Sequence, residues 1–141
     1  MLELWLSLIE HHRGLSPEYR VLPGIASVIA SEIRRAAARD CCRLIVAELE
    51  DRLVGFLFAE VESGGGSSAE PSPAWIHELW VEPEHREQGT AAQLLAESDA
   101  FFASRGVTRI SVRVESSNVA ARDFWAGLGF GERARIFERV S

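Results

Sequence analysis

The order of the periodic segments constrains this chain more than any other feature. Three segments with the length and composition of strands, 43–50, 53–62 and 75–81, follow one another along the chain. A long amphipathic helix at 89–105 and an alternating segment at 108–115 come next. Short connections join antiparallel strands, whereas a strand–helix–strand connection joins parallel ones, so the sequence predicts a mixed sheet.

Further helices flank these strands. Two helical patterns at 3–12 and 27–40 precede the first strand, and a short one at 118–127 follows the fourth. A last strand is predicted at 135–140. The order ααβββαβαβ predicts an α/β fold with a mixed central β-sheet and helices on both faces. With 141 residues, the chain has the size of one domain.

Three features mark the connections between the strands. Asp51-Arg52 is predicted to form a tight hairpin, and Gly55 indicates a bulge or a close backbone approach inside the second strand. Residues 63–74 are rich in Gly, Ser and Pro, which predicts a flexible loop. That loop is either a flap over a substrate site or a hairpin tip.

Charge and composition exclude several classes of function. Fifteen basic and 21 acidic residues give a net charge of −6, which argues against a nucleic-acid module and is compatible with a cationic substrate. All the basic residues are Arg, so no lysine-based mechanism is available. No apolar run reaches the 18 residues or so of a membrane span, so no membrane partner is expected.

The two cysteines, Cys41 and Cys42, are adjacent in the sequence. A disulfide between neighbours is geometrically awkward, and no second cysteine pair is present to complete a metal site. The N-terminus lacks the basic region and cleavage site of a signal peptide. We therefore expect a reduced, cytoplasmic protein without a metal.

The segment from Val81 to Ala91 carries the clearest chemical signal. A strand ends, a short loop follows and a long helix begins, and the unpaired amides of a helix N-terminus bind phosphate-type anions. Gly89 and Ala91 let the backbone approach a ligand closely, and Arg86 supplies a forked cation suited to a pyrophosphate. The loop contains neither GxGxxG nor GxxxxGK[ST], which excludes Rossmann and P-loop sites.

Two motifs resemble signatures of the GCN5-related N-acetyltransferase (GNAT) superfamily. The pattern V-x-P-x-x-R-x-x-G-x-A, which begins at Val81, is similar to the acyl-CoA-binding motif of that family. The pattern N-x-x-A-x-x-F-W-x-x-x-G-F, from Asn118 to Phe130, is similar to its later signature. Both occur in the family's order with a strand between them, and the resemblance covers roughly residues 43–140.

The resemblance implies a single three-layer GNAT domain over residues 1–141. Residues 1–40 would be a helical segment on the acceptor side, and residues 75–130 would be the acyl-CoA-binding core. The family generally starts with a β-strand, whereas this chain enters a helix almost at once, so the first edge strand is predicted to be missing. The strand next to it would then be an open edge, which makes a homodimer a hypothesis.

The resemblance also implies acetyl-CoA as the co-substrate. The main chain of the strand before the loop, Leu79, Trp80 and Val81, would pair with the pantetheine arm. The pyrophosphate would be held by the loop amides of Arg86, Glu87, Gln88, Gly89, Thr90 and Ala91. Asn118 matches a position that commonly contacts the cofactor, and it is also a plausible helix N-cap; both roles are compatible.

The implied activity is direct transfer of an acetyl group to a primary amine of a small molecule or peptide. Glu78 is the first candidate for the general base, with Glu115 as the alternative. Val81 is a candidate backbone donor to the oxyanion. His77 alternates with Glu78 and is expected to face the other way, and all four histidines are expected to be structural or exposed.

Trp125 is the main departure from the family pattern. The family usually has Tyr there, as the acid that protonates the departing thiolate, whereas an indole N–H donates a hydrogen bond but does not deliver a proton. Trp125 would either steady the sulfur or simply pack. The alternative function is therefore a catalytically degenerate acyl-CoA-binding or interaction domain.

Overall fold

The computed structural model describes residues 1–15, 23–62 and 73–141, without the side chains of His12 and Leu15. Nearly all of the predicted loop at 63–74 lies outside this part. In chain order the elements are α1 (Leu2–Leu15), α2 (Ile25–Ala38), β1 (Cys42–Leu49), β2 (Arg52–Val61), β3 (Ala74–Val81), a 3-10 turn (Pro83–His85), α3 (Thr90–Ser104), β4 (Ile110–Val112) and α4 (Val119–Gly127).

The described strands form one mixed sheet in the order β1-β2-β3-β4. β2 pairs antiparallel with β1 and β3, and β4 lies parallel to β3. The predicted sheet type is confirmed, because the only long crossover in it, through α3, joins its only parallel pair. In the described sheet β1 has β2 as its one neighbour, so β1 is an edge strand of that sheet.

Helices cover both faces of the sheet, as predicted. On one face, side chains of α1 and α2 such as Leu8 and Ile29 pack against Phe56 and Phe58. On the other face, α3 packs onto the sheet, and Phe102 is among its most deeply buried side chains. Among the described residues, no helix is both long enough and apolar enough to cross a membrane.

The hairpin between β1 and β2 turns one residue earlier than predicted. Leu49 pairs with Arg52, so the two turn residues are Glu50 and Asp51. Both have positive φ, at 51° and 62°, which is the backbone of a type I′ turn. Asn-Gly is the usual sequence for that turn, and its absence explains why the sequence located the hairpin but not its register.

The predicted last strand at 135–140 is wrong. Residues 130–141 have no regular secondary structure, and Phe137 and Val140 are 91% and 90% exposed. β4 is also shorter than the predicted 108–115. Alternation of side chains shows which face a strand would bury, but a strand also needs a neighbour for its backbone, and the described sheet ends at β4.

Gly55 lies at a β-bulge and also at a close backbone approach, the two features that its position in the sequence suggested. The register between β1 and β2 shifts there, which leaves Val54 as an extra residue on β2. A Cβ on Gly55 would lie 2.9 Å from the carbonyl oxygen of Trp80 and 3.3 Å from a methyl group of Val81. Glycine at this position therefore lets β2 lie against the end of β3, where the chain leaves the sheet.

We predict that Gly55→Ala lowers the free energy of unfolding by about 1–3 kcal/mol, because backbone has to move to admit the methyl group. Urea denaturation measures this change. Gly131→Ala is the matched control, since a Cβ there meets nothing within 4 Å. Equal stability of the two variants would contradict the close approach at Gly55.

Candidate active site

β3 and β4 diverge after a short paired stretch. Their pairing covers Ala74–Ile76 on β3 and Ile110–Val112 on β4, whereas β3 itself continues to Val81. Beyond Ile76, β3 therefore keeps β2 on one side and has no described strand on the other. The result is a gap in the sheet between the ends of two parallel strands.

The main chain of Leu79 and Val81 faces this gap. The amide of Glu82 donates to the carbonyl of Val54 at 2.8 Å, so Glu82 faces β2. Because successive residues of an antiparallel pair direct their backbone groups to alternate sides, Trp80 also faces β2, while Leu79 and Val81 face away from it. Among the described residues, no strand pairs with these two on the gap side.

A bulge in β3 brings His77 and Glu78 to the same face. Ala59 pairs with Ile76 and Phe58 pairs with Glu78, so His77 is an extra residue between them. The ring of His77 lies 5.1 Å from that of Phe58, on the side of α1 and α2. The prediction that His77 faces away from Glu78 is therefore wrong, since strict alternation does not hold across a bulge.

Glu78 lies beside the start of the gap. Burial raises the pKa of its carboxyl group to about 7, because a low-dielectric surrounding disfavours the charged form. The side chain lines a cavity of about 330 Å³ between α2 and the sheet, whose walls include Arg35, Arg39, Glu60 and His77. This carboxyl group is thus close to half ionised at neutral pH and borders a space that a small molecule can enter.

The loop after β3 presents a run of backbone amides. The amide of Arg86 closes the 3-10 turn by donating to Pro83 at 3.3 Å. Glu87 then has φ 62° and Gly89 has φ 82°, and α3 begins at Thr90. Within the described residues, the amides of residues 87–92 donate to no backbone carbonyl. Left-handed residues interspersed in such a turn form an anion-binding concavity.

Gly89 is the N-cap residue of α3, and no side chain caps that helix. A Cβ on Gly89 would meet nothing within 4 Å, so neighbouring protein atoms do not require glycine here. What favours glycine is the positive φ and the open space in front of the amides. The first turn of α3 is therefore accessible to a ligand.

Arg86 lies where the gap meets the loop. Its Nε donates to the carbonyl oxygen of Val81 at 2.8 Å, and its guanidinium lies 4.6 Å from the ring centroid of Trp80. His11 of α1 also lies against Trp80, with ring centroids 5.4 Å apart. The cation is thus held beside the last residue of β3 by one hydrogen bond and one aromatic ring.

Asn118 is buried and caps α4, since its side-chain oxygen accepts from the amide of Ala121 at 3.1 Å. The predicted N-cap role is confirmed. Trp125 is half-buried and packs edge-on to Phe124 and Phe130, at 5.1 Å and 5.0 Å between ring centroids. Trp125 also contacts the core cluster that contains Val81, which places it on the α3 side of the sheet.

One polar network on the α2 side of the sheet has no counterpart in the sequence predictions. Glu60 contacts Arg39 and His77, each at 3.2 Å, and the Sγ of Cys42 lies 3.4 Å from the same carboxylate. Nothing in the sequence points to this network, because its members come from a turn and three strands. The β1–β2 register, which pairs Cys42 with Glu60, and the β2–β3 pairing, which places His77 beside β2, bring them together.

Comparisons with known proteins relate the chain to one family. The model of the acetyltransferase (GNAT) family matches residues 7–130. A segment of 88 residues is 31% identical to mycothiol acetyltransferase of Kocuria rhizophila; it covers 62% of this chain but only 28% of that protein.

Solved structures share the fold at low identity. A tetramutant of the BH1408 protein of Bacillus halodurans has a TM-score of 0.83 and 14% identity over 99% of this chain and 91% of that one. Aminoglycoside N-acetyltransferase AAC(6')-Iy in complex with CoA has a TM-score of 0.73 and 18% identity over 99% and 88%. Since the family model covers most of the sequence and the architecture agrees, this chain belongs to the GNAT acetyltransferase family.

Proposed function

We propose that the chain transfers an acetyl group from acetyl-CoA directly to a primary amine of a small molecule or peptide. One observation carries the proposal: the gap beyond Ile76 has Glu78 at one end and the amide-rich loop at the other. A thioester lying in that gap would present its carbonyl to a carboxyl group and its phosphates to a helix N-terminus.

In this proposal the pantetheine arm extends β3. Leu79 and Val81 supply the pairing groups, whereas Trp80 contributes its ring beneath Arg86 and not its main chain. The pyrophosphate rests on the amides after Arg86, near the positive end of the α3 dipole. The complex of AAC(6')-Iy with CoA supports CoA binding by a protein of this fold. Asn118 keeps its capping bond and offers its amide NH₂ to the cofactor.

Glu78 acts as the general base, directly or through a water molecule. An ordinary ammonium group has a pKa of about 10.4 and is mostly unreactive at pH 7. Glu78, with its pKa raised to about 7 by burial, takes the proton as the amine nitrogen attacks the thioester carbon. The C–S bond then breaks and CoA leaves as the thiolate, with the acetyl group on the amine.

The oxyanion is stabilised by backbone amides that line the gap, and the thiolate leaves without a proton donor. The amides of Leu79 and Val81 are the candidate donors to the carbonyl oxygen as it becomes negative. A thiol pKa of about 8.5 makes CoA a tolerable leaving group without a strong acid. Trp125 lies in an aromatic cluster with Phe124 and Phe130, which supports a packing role.

The acceptor enters by the cavity on the α2 side, where the predicted helical segment 1–40 supplies part of the wall. Three carboxylates, Glu32, Glu60 and Glu78, line it together with two arginines that are paired to Glu32 and Glu60. Of these three carboxylates, Glu78 is the one that is not paired with an arginine of the cavity wall. A carboxylate in that position favours an acceptor with an amino group. The aminoglycoside acetyltransferases among the structural neighbours support a small-molecule amine.

The alternative is a domain that binds acyl-CoA without turnover, and Trp125 at the usual Tyr position is the observation that favours it. Release of free thiol from acetyl-CoA with a panel of amines, polyamines and peptides separates the two functions. Turnover with any acceptor supports the enzyme, whereas tight binding without turnover across the panel favours the binding domain.

We predict that Gly89→Ala weakens acetyl-CoA binding at least about tenfold, equivalent to about 1.4 kcal/mol, because a methyl group enters the space in front of the amides. Gly106→Ala is the matched control: Gly106 follows the same helix, has φ 69° and also has open space around a Cβ. Both variants should lose about 1–2 kcal/mol of stability. Calorimetric titration that shows equal affinity in the two variants would refute the pyrophosphate site.

We predict that Glu78→Gln lowers kcat about 10²–10⁴-fold while the Kd for acetyl-CoA stays the same, because the base is lost and the cofactor site is kept. The wild-type rate should rise as pH increases through about 7, and that rise should disappear in the variant. Glu115→Gln is the control, since Glu115 is exposed. A loss of kcat in Glu115→Gln and not in Glu78→Gln would reverse the assignment.

The same variant has a second readout in protein stability. Because the folded-state pKa of Glu78 is raised from 4.5 to about 7, its protonated form stabilises the fold and that contribution is lost as pH rises through this window. Glu78→Gln should be more stable than wild type by about 1–3 kcal/mol at pH 8 and equal to it near pH 4. Urea denaturation at both pH values measures the difference; a variant that is less stable at pH 8 would contradict the burial of the charge.

A further inference from the structure

We propose that Cys41, Cys42 and Glu60 form a binding site for a divalent cation of the zinc class. The three donor atoms lie within 4.8 Å of one another at the junction of α2, β1 and β2. The proposal does not depend on acetyl transfer. The sequence has no second cysteine pair to complete a metal site, but the fold supplies a carboxylate in its place.

A turn places both thiols on one side. Consecutive residues of an extended strand point to opposite faces, which would separate adjacent cysteines. Here the amide of Cys42 donates to the carbonyl of Arg39 at 3.1 Å, so the chain turns before β1 begins. The carbonyl of Cys41 accepts from the amide of Val61 at 2.8 Å, which fixes the turn to β2. As a result the two Sγ atoms are 3.9 Å apart.

Two of the three donor separations match tetrahedral zinc, whereas the third, between Cys41 Sγ and a Glu60 oxygen, extends to as much as 4.8 Å and is closed by movement of the half-buried Cys41 side chain. Zinc binds sulfur at about 2.3 Å and carboxylate oxygen at about 2.0–2.2 Å, which at tetrahedral angles separates two sulfurs by about 3.8 Å and sulfur from oxygen by about 3.5 Å. The observed separations are 3.9 Å between the sulfurs and 3.4 Å from Cys42 Sγ to Glu60 Oε2. Two thiolates and one carboxylate are a donor set that zinc accepts, with a fourth position left for water.

His77 orients the carboxylate. Its Nε2 lies 3.2 Å from Oε1 of Glu60, the oxygen that does not face Cys42. A hydrogen bond of this kind fixes a ligand and commonly changes metal affinity 10–100-fold when it is removed. Cys41 is half-buried, and Glu60 and His77 line the 330 Å³ cavity, so an ion can reach the site from solvent.

Arg39 allows a metal site to be distinguished from a purely structural cluster. Its guanidinium lies 3.2 Å from Oε2 of Glu60, the oxygen assigned to the metal, and its side chain is 49% exposed. A cation at this site has to displace Arg39, which can swing into solvent. If the cluster only stabilises the packing of α2 on the sheet, the protein binds no cation with or without Arg39. If it is a metal site, removing Arg39 strengthens binding, because a competing positive charge is gone.

The experiment titrates Co²⁺ into the metal-stripped full-length chain in a phosphine reductant, and Zn²⁺ is then added in competition. We expect one equivalent of Co²⁺ with a thiolate-to-cobalt charge-transfer band in the near ultraviolet, displaced by Zn²⁺. Cys41→Ser should abolish the band, and Glu60→Gln should weaken binding at least about tenfold. Glu48→Gln, an exposed carboxylate on the same strand as Cys42, should leave the affinity unchanged.

Two further variants decide the outcome. Arg39→Gln should tighten Co²⁺ binding severalfold, and His77→Ala should weaken it about 10–100-fold. Because Cys42 is buried and Cys42→Ser can misfold, half-buried Cys41 carries the thiol test. Circular dichroism confirms that each variant is folded. The proposal is overturned if no charge-transfer band forms, if Cys41→Ser retains it, or if Arg39→Gln weakens binding; none of these results bears on acetyl transfer.

Discussion

The early parting of β3 and β4 is the constraint on which the rest of the site depends. Three residue pairs hold the two strands together, and five further residues of β3 then continue with β2 alone. The carbonyl of Val81 accepts from Arg86, but the other backbone groups that face the gap have no described strand partner and are costly to bury unless water or a ligand satisfies them. A ligand with amide groups in an extended chain therefore fits this place better than a purely apolar one.

The bulge at His77 sets what surrounds the gap. By adding one residue to β3, it keeps Ile76 in the core beneath α3 and lets Glu78 open toward the α2 side. Without the extra residue, every side chain from Glu78 to Val81 would exchange faces. The bulge at His77 thus determines where the carboxyl group of Glu78 lies. It also accounts for the burial of that group and for its pKa near 7.

The sequence predicted those features that rest on local chemistry. Three features could be predicted because each depends on residues that are close in the chain. They are the amide-rich loop, the N-cap Asn118 and the apolar strand β2. The face of His77 was mispredicted because a bulge has no simple sequence signal, and the strand at 135–140 because alternation does not reveal a missing neighbour. The cluster around Glu60 was missed because it exists only through the pairing of β2 with β1 and β3.

The left-handed backbone of Glu87 affects the conformations that the empty loop can adopt. A residue other than glycine in the left-handed region costs about 1–2 kcal/mol. Glycine would remove that cost, yet it would also widen the range of shapes that the empty loop can adopt. With a side chain there, the protein gives up some folding free energy for a preorganised turn, so that the proposed binding of acetyl-CoA would cost less conformational entropy.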